Sequence, residues 1–485
     1  MIDSKQKIDP TILVIFGATG ELSRDRLLPA LHRLFDRGLL PKLFWIVGFA
    51  RSEYSDEQFR KIIKQPDASK SWGDFSKKIF YVPGNFANPR DFKRLAEFLH
   101  KMESREHSCA NRLFYFSTLP SHFSTISNAL KNSGLLVGCG MHKRQTRVVV
   151  EKPFGHDRKS AKTLDQTLRK YFSESQIYRI DHYLGKETVQ NLLTVRFANS
   201  IFEPIWNHEY IDHVQISAVE GIGVGNRGAF YEQAGALRDF IQNHLIQMLA
   251  LTAMERPVDL STKAIRDERA KVIQAIRLPA PREIKSSLAT GQYQGYRKEP
   301  HVSPRSKIET YVALKLFLDN PRWVGVPFYL RTGKKLDVSH KTTEISVHFK
   351  RPLQTLFNQK EIQSNILTFT VQPKEGIYLH ITAKYPGFGI RLHPVTMELG
   401  YHSAFHGEIP EAYERLLLDF MEGDQRLFTR ADEIELSWRY IDVLEKYIAR
   451  KKLKPQIYVP DSSGPKNAEL LIKKDNGTWH LTQSE

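Results

Sequence analysis

The sequence predicts two domains: a doubly wound α/β domain over residues 1–178, then a larger α+β domain with an antiparallel sheet over 179–485. Three observations point there. Short apolar runs without alternation recur through the first third, separated by helical stretches, as in strands buried on both faces of a parallel sheet. Later runs alternate polar and apolar residues, as in sheets with one dry face. The length of 485 residues exceeds a single core, since a domain averages about 150 residues.

The first strand is Thr11–Phe16, apolar and rich in β-branched residues, followed by Gly17-Ala18-Thr19-Gly20. Leu27, Leu28, Leu31, Leu34 and Phe35 then recur at helical spacing, and Gly38 ends the helix. A second strand, Leu43–Val47, runs into Gly48-Phe49-Ala50-Arg51, which completes a strand–helix–strand unit. Further buried strands are expected at 78–82, 112–116 and 147–150. In the second domain, strands are expected at 344–349, 367–371 and 377–381, with helices at about 234–253 and 410–450.

Composition narrows the function. Hydrophobic residues make up 41% and charged residues 26%, which excludes wholesale disorder. The longest apolar runs are too short to cross a membrane, and the N-terminal residues carry no apolar segment of a secretory signal. Two cysteines, Cys109 and Cys139, are too few for a disulfide framework or a thiolate metal cluster, so a cytoplasmic location is expected. No Cys-x-x-Cys occurs, and no metal site is expected. The net charge of +17 serves solubility or attracts anions such as phosphorylated molecules. Basic blocks are short and no basic tail occurs, so no nucleic-acid partner is expected.

A glycine-rich turn between a buried strand and a helix lets backbone amides approach a pyrophosphate at a helix N-terminus. Here the spacing is Gly17-x-x-Gly20, short of the three-glycine fingerprint, so a plain tight turn stays open. The second strand adds information. Where an NAD site places Asp or Glu, this chain has Arg51. A guanidinium there can pair with a 2′-phosphate and favours NADP over NAD.

Two segments carry candidate chemistry. Arg179-Ile-Asp-His-Tyr-Leu-Gly-Lys-Glu187 offers His182, Tyr183 and Lys186 as phosphate donors, and Asp181 as an acceptor in need of a donor. Arg238-Asp-Phe-Ile-Gln-Asn-His244 is helical by pattern and puts His244 on the apolar stripe. A histidine there is either a satisfied core residue or a general base oriented by a carboxylate. Asp181 and Asp239 are the candidate carboxylates. Asp239 lies five positions before His244 and points elsewhere on an α-helix, which favours Asp181. A base with neither metal nor nucleophile, together with NADP, suggests oxidation of an alcohol.

Together with Gly17-Ala-Thr-Gly-Glu-Leu22, Glu151-Lys-Pro-Phe-Gly155, Arg331-Thr-Gly-Lys-Lys-Leu336, Gln372-Pro-Lys-Glu-Gly376 and Pro410-Glu-Ala-Tyr-Glu-Arg-Leu416, these segments resemble glucose-6-phosphate dehydrogenase from about residue 11 to 480. The resemblance implies a Rossmann-like coenzyme domain and oxidation of glucose 6-phosphate to the phosphogluconolactone with NADP, some relatives using NAD as well. It implies His244 as general base and Asp181 as its orienting carboxylate, with His182, Tyr183 and Lys186 on the substrate phosphate. It places Lys152 between coenzyme and sugar, Glu220 and Asp239 on sugar hydroxyls, and Lys334 and Lys341 near the substrate. The coenzyme side comprises Gly17, Thr19, Gly20, Glu21, Leu22, Arg51, Pro120 and Lys152. A homodimer or homotetramer built through the large sheet is expected, with no membrane partner. Glu21 stands where the family has Asp, Ser117-Thr118-Leu119-Pro120 replaces a more apolar segment, and Lys341 lies two residues further from Lys334 than usual.

Overall fold

A computed structural model describes residues 9–65, 69–137, 145–339, 341–352, 356–357, 362–405 and 408–482; Cys139 lies outside them. The chain divides into two compact units. The first comprises residues 1–185, 261–263 and 410–434, and the second residues 186–260, 264–409 and 435–485.

Continuous apolar runs build the first unit. Strands β1 (Thr11–Phe16), β2 (Phe44–Ala50), β3 (Ile79–Pro83), β4 (Asn111–Phe116), β5 (Thr146–Val150) and β6 (Ile177–Ile180) pair in parallel in the order β6-β5-β4-β1-β2-β3. That is the doubly wound arrangement, with its topological switch between β1 and β4. β1 and β4 are buried along their whole length, as strands covered on both faces must be. β2 runs three residues past the expected end, because Gly48, Phe49 and Ala50 continue to pair with β3. The helix Leu28–Asp36 follows the expected spacing and buries Leu28, Leu31 and Leu34.

The expected boundary at 178 falls inside β6, which pairs with β5 through Ile177, Tyr178 and Arg179. The expected helical region 410–450 is also divided between units. The helix Ala412–Glu422 sends Leu416, Leu417, Phe420 and Met421 into the core of the first unit, alongside Tyr178 and Ile180. A short strand, Phe428–Thr429, pairs antiparallel with β6. Tertiary packing returns a late segment to the coenzyme fold, which no local pattern announces.

The second unit holds a nine-stranded sheet. Its strands are β7 (Ile211–Val219), β8 (Leu288–Tyr293), β9 (Tyr311–Leu316), β10 (Phe328–Gly333), β11 (Thr342–Phe349), β12 (Ile366–Gln372), β13 (Gly376–Lys384), β14 (Leu392–Gly400) and β16 (Gln456–Tyr458), the label β15 belonging to the Phe428–Thr429 strand of the other sheet. They run in the order β14-β13-β12-β11-β7-β10-β9-β8-β16. Pairing is antiparallel except for β7 with β10 and β8 with β16.

The alternation in β11 and β12 does not mark a wet face, for both strands are buried on both sides. The C-terminal segment covers the polar face. The His480 amide donates to Gln215 Oε1 at 2.9 Å, the Gln215 side chain donates to the Thr478 carbonyl at 2.9 Å, and the Thr482 amide donates to the Glu344 carboxylate at 2.9 Å. The Arg331 guanidinium lies 4.6 Å from the centre of the Trp479 ring.

Beneath this cover runs a row of imidazoles. His213 stacks on His348 at 4.1 Å, and His480 meets His348 and His380 edge-on at 5.6 and 5.5 Å. Burial, with the neighbouring imidazoles, holds His348 down at about 2 and His480 at about 4. In the unfolded chain histidine titrates near 6.5. Stability from His348 and His480 is therefore complete above about pH 6.5 and falls as pH drops, by about 1.4 kcal/mol for each of the two per pH unit, until the folded groups protonate. Thermal melts between about pH 7.5 and 5 should show a falling midpoint below 6.5, shallower in His480→Gln. An equal fall in both proteins would dismiss the row as the cause.

Candidate active site

In the first unit, the turn after β1 packs against the end of β4. Gly17 has φ +82°, and a Cβ there would sit 2.4 Å from the Ser117 carbonyl oxygen. Only glycine fits this approach. The Gly20 amide closes the turn onto the Gly17 carbonyl at 3.0 Å. Buried Ser23 donates to the Gly17 carbonyl at 3.2 Å and to Ser117 Oγ at 3.0 Å. Ser117, one of the departures from the family pattern, thus has a hydroxyl partner that an apolar residue would forgo. The helical path that follows opens with one wide π-type turn, Ser23–Leu27. Thr19 and Leu22 are half-buried at this turn, Gly20 and Glu21 are exposed, and Pro120 opens a short 3₁₀ turn after β4. These parts form a cradle at the switch point, where a dinucleotide's phosphates fit.

Arg51 is exposed immediately after β2. Its loop is pinned by Tyr81, whose hydroxyl contacts the carbonyls of Ala50 and Ser52 at 3.0 and 2.6 Å. The guanidinium therefore projects from a fixed backbone on the strand edge beside the cradle.

The other motif segment of this unit follows β6. Asp181 is buried, and its Oδ1 accepts the Tyr183 amide at 3.0 Å. The Leu184 and Gly185 amides close back on the carbonyls of Asp181 and His182. This tight turn presents His182 and Tyr183 side by side, ring centres 4.9 Å apart. Tyr413, from the helix Ala412–Glu422, lies parallel to His182 at 6.3 Å. Half-buried Lys152 follows β5 and Glu151.

In the second unit, β7 and β10 run parallel and end together, so Glu220 and Lys334 leave the sheet side by side. The Glu220 amide donates to the Gly333 carbonyl at 2.9 Å. Both side chains are buried and paired, and exposed Lys341 approaches the other Glu220 oxygen at 3.0 Å. Burial pushes the Glu220 carboxyl up, but the two ammonium groups outweigh it and hold it below its ordinary range. The Lys334 ammonium also lies over the rings of Tyr231 and Phe240 at 5.4 and 5.7 Å.

Asp239 and His244 sit on a wide helix, Leu237–Leu245, between the α-helices Gly228–Ala236 and Ile246–Ala253. Both are buried, at 5% and 1% exposure. The expected apolar stripe is buried as well, including Leu237, Ile241, Leu245 and Met248. The helix type corrects one step of the sequence reading. In π-type geometry, with i→i+5 bonding, residues five apart return to nearly the same side. Asp239 is therefore not turned away from His244 as an α-helix would have it. Burial and the charge of Asp239 keep the Tyr231 hydroxyl well above its usual pKa. The His244 ring meets Phe240 edge-on at 5.5 Å. Glu220, Lys334, Lys341, Asp239 and His244 thus gather around Tyr231 and Phe240. Lys186 belongs to this unit, as the residue preceding the helix Glu187–Ala198.

Two family models match the chain: the NAD binding domain of glucose-6-phosphate dehydrogenase over residues 14–191, and its C-terminal domain over residues 193–480. The chain belongs to the glucose-6-phosphate dehydrogenase family. It is 44% identical to glucose-6-phosphate 1-dehydrogenase of Chlamydia pneumoniae, with 99% of this chain and 97% of the relative covered. With that of Bacillus subtilis the identity is 41%, covering 96% and 98%. A solved glucose-6-phosphate dehydrogenase in complex with its substrate glucose 6-phosphate superposes with a TM-score of 0.90 at 33% identity, covering 99% of this chain and all of that one. A glucose-6-phosphate 1-dehydrogenase structure from Mycobacterium avium gives 0.83 at 32%, covering 98% and 100%.

Sequence reading missed the tyrosines that hold family motifs in place. Tyr81 fixes the Arg51 loop, and Tyr231 roofs the Lys334 ammonium. Tyr413 lies inside a motif that carries the resemblance, yet its place beside His182 depends on the late return of the chain to the first unit. The Glu220 cluster yields a stability prediction. Lys334→Met should cost about 3 kcal/mol, because it strips a buried carboxylate of its buried partner. Lys341→Met should cost less than about 1 kcal/mol, because that ammonium is 54% exposed. Urea unfolding of the two variants compares them, and equal losses would contradict the burial argument.

Proposed function

We propose that the chain oxidises glucose 6-phosphate at the anomeric carbon to the 6-phosphoglucono-lactone, the first step of the oxidative pentose phosphate pathway. The observation that carries this reading is the full-length match to both domains of the family, at up to 44% identity among the relatives above. Bound NADP supplies the hydride acceptor. The Gly17–Gly20 cradle suits its pyrophosphate, with Thr19, Glu21, Leu22 and Pro120 around it.

His182, Tyr183 and Lys186 grip the phosphate dianion of the sugar, and this remote binding energy orients the ring. Glu220 and Asp239 accept from sugar hydroxyls, while Lys334 and Lys341 keep Glu220 ionised for that task. Lys152, from the Glu-Lys-Pro-Phe-Gly motif, would lie between sugar and coenzyme. His244 takes the proton of the anomeric hydroxyl as the C–H hydride departs and the C=O bond forms. Asp181 orients the neutral imidazole and stabilises the imidazolium. The assignment of Asp181 over Asp239 rests on its place in the family motif, since the wide helix removes the geometric case against Asp239.

The chain works in the cytoplasm as a homodimer or homotetramer. Among the described residues, no helix is long and apolar enough to span a membrane. The edge strand β14 is exposed along most of its length and shows Val395, Met397 and Leu399 to solvent. Such an apolar edge favours burial against a second copy through the large sheet.

Purified protein mixed with glucose 6-phosphate and NADP should generate reduced nicotinamide, read by absorbance; no turnover would refute the reading. His244→Asn should lower kcat by about 10²–10⁴ with substrate affinity largely retained. Asp181→Asn should lower it too, and the double variant should lose far less than the product of the single losses. Multiplying losses would uncouple the pair. Arg51→Ala should erode the preference for NADP over NAD by about tenfold in the ratio of kcat/KM values, the worth of one charge-assisted bond. An unmoved ratio would make Arg51 a surface cation only.

A further inference from the structure

Within the first unit, the Glu151 carboxylate has no place in the mechanism above. Glu151 follows β5 and precedes Lys152. Its Oε1 accepts two hydroxyls, from Tyr115 at 2.5 Å and from Tyr413 at 3.2 Å. Tyr115 is fully buried on β4 of the coenzyme sheet. Tyr413 belongs to the helix Ala412–Glu422 and lies parallel to the His182 ring. The same helix supports the turn that carries Asp181 and His182. A Cβ on Gly185 would come within 2.8 Å of the Ala412 carbonyl oxygen, so turn and helix are in direct contact. Glu151 is therefore the shared acceptor of a junction whose arms lead to β4, to Lys152 through the chain, and to His182 through Tyr413.

We propose that Glu151 is a positioning residue: its ionised carboxylate holds Tyr115 and Tyr413 together and so sets Lys152 and the 181–183 turn for catalysis. As an anion, Glu151 offers only acceptor sites, and both tyrosines donate to it. Once protonated, it carries a hydrogen that needs an acceptor of its own, so the double acceptance at Oε1 weakens. The groups facing it divide by sign. Tyr115 from β4, Tyr413 from the late helix and Lys152 from its own segment favour the charge, while burial and Asp181 from the turn oppose it. Arg26, from the wide turn after β1, acts on Tyr413 in turn. Burial dominates and lifts the carboxyl to about 7. The junction therefore tightens as pH rises through neutrality and loosens below it.

This inference rests on the assigned roles of Lys152 and the 181–183 turn. The test compares kcat/KM for glucose 6-phosphate in the wild type and Glu151→Gln. Glutamine keeps the shape and one carbonyl acceptor but cannot ionise. At about pH 8.5 the variant should fall about tenfold below the wild type, the worth of one charge-assisted bond. At about pH 6, where the wild-type carboxyl is itself mostly protonated, the gap should close to about twofold. Taking the ratio cancels the titrations of His244 and of the substrate phosphate, which the two proteins share. A merely structural role would leave the ratio constant with pH, and that result overturns the proposal. Tyr413→Phe provides a second reading. Losing a donor to the charged form should move the acid limb of the profile to higher pH. Lower activity with an unmoved limb also overturns it. A wild type that does not oxidise glucose 6-phosphate would instead refute the functional assignment itself.

Discussion

The second unit depends on a carboxylate kept charged where water is scarce. Glu220 is buried at the end of β7, a position that would ordinarily neutralise it. Lys334 prevents this because β10 runs parallel to β7 and delivers its next residue to the same edge. An antiparallel neighbour would have sent that lysine to the opposite end of the sheet. The parallel pair inside a largely antiparallel sheet is thus the device that makes a buried acid–ammonium pair possible. The backbone of the lysine is itself held: the Tyr458 hydroxyl donates to the Lys334 carbonyl at 2.6 Å, and the Asp461 amide donates to the Lys335 carbonyl at 2.9 Å. Lys335 sits at φ +54°, a conformation an ordinary side chain adopts only under constraint. The late segment 456–462 supplies that constraint.

The first unit solves a related problem with hydroxyls rather than cations. Glu151 receives two tyrosine donors. Glu103, which is buried, instead takes the Arg112 guanidinium at 2.8 Å. The choice of partner separates their behaviour. A guanidinium partner stays charged across the working range, whereas tyrosine donors leave the balance to burial. Burial lifts the Glu151 carboxyl to about 7, so the tyrosine junction can respond near neutrality.

Much of the fold was legible because buried parallel strands and amphipathic helices write their period into the chain. β1 and the helix Leu28–Asp36 are examples. The motif residues were legible for another reason: the nine residues from Arg179 compress donors and acceptors that no helix or strand core would ask for. Three things were not legible. The wide helix around His244 has an ordinary amphipathic pattern, and its register is set elsewhere. Glu309 accepts the Leu237 amide at 3.1 Å, and Gly235 before it adopts φ +62°, with no room for a Cβ beside the Glu309 carboxylate. The burial of β11 and β12 on both faces depends on the C-terminal segment, hundreds of positions from the strand it covers at Gln215. Local alternation reported polar residues correctly but could not say that another part of the chain would dry them.

The return of residues 410–434 to the first unit explains why the boundary could not be read from local signals. A boundary is visible where composition shifts, and none shifts there. Arg147 shows what fastens the returning segment. Its guanidinium donates to the carbonyls of Phe420 and Met421 at 2.9 and 3.0 Å, at the end of the helix Ala412–Glu422. A helix C-terminus leaves carbonyls unsatisfied and carries partial negative charge, so a buried cation there is both bonded and electrostatically favoured. Arg147 lies on β5, four residues before Glu151, which receives Tyr413 from the opposite end of that helix. The strand and the residue after it thus hold both ends of one helix, by a cation at its C-terminus and by a carboxylate near its N-terminus. The orientation of Tyr413 beside His182 then follows from two fixed points on the coenzyme sheet.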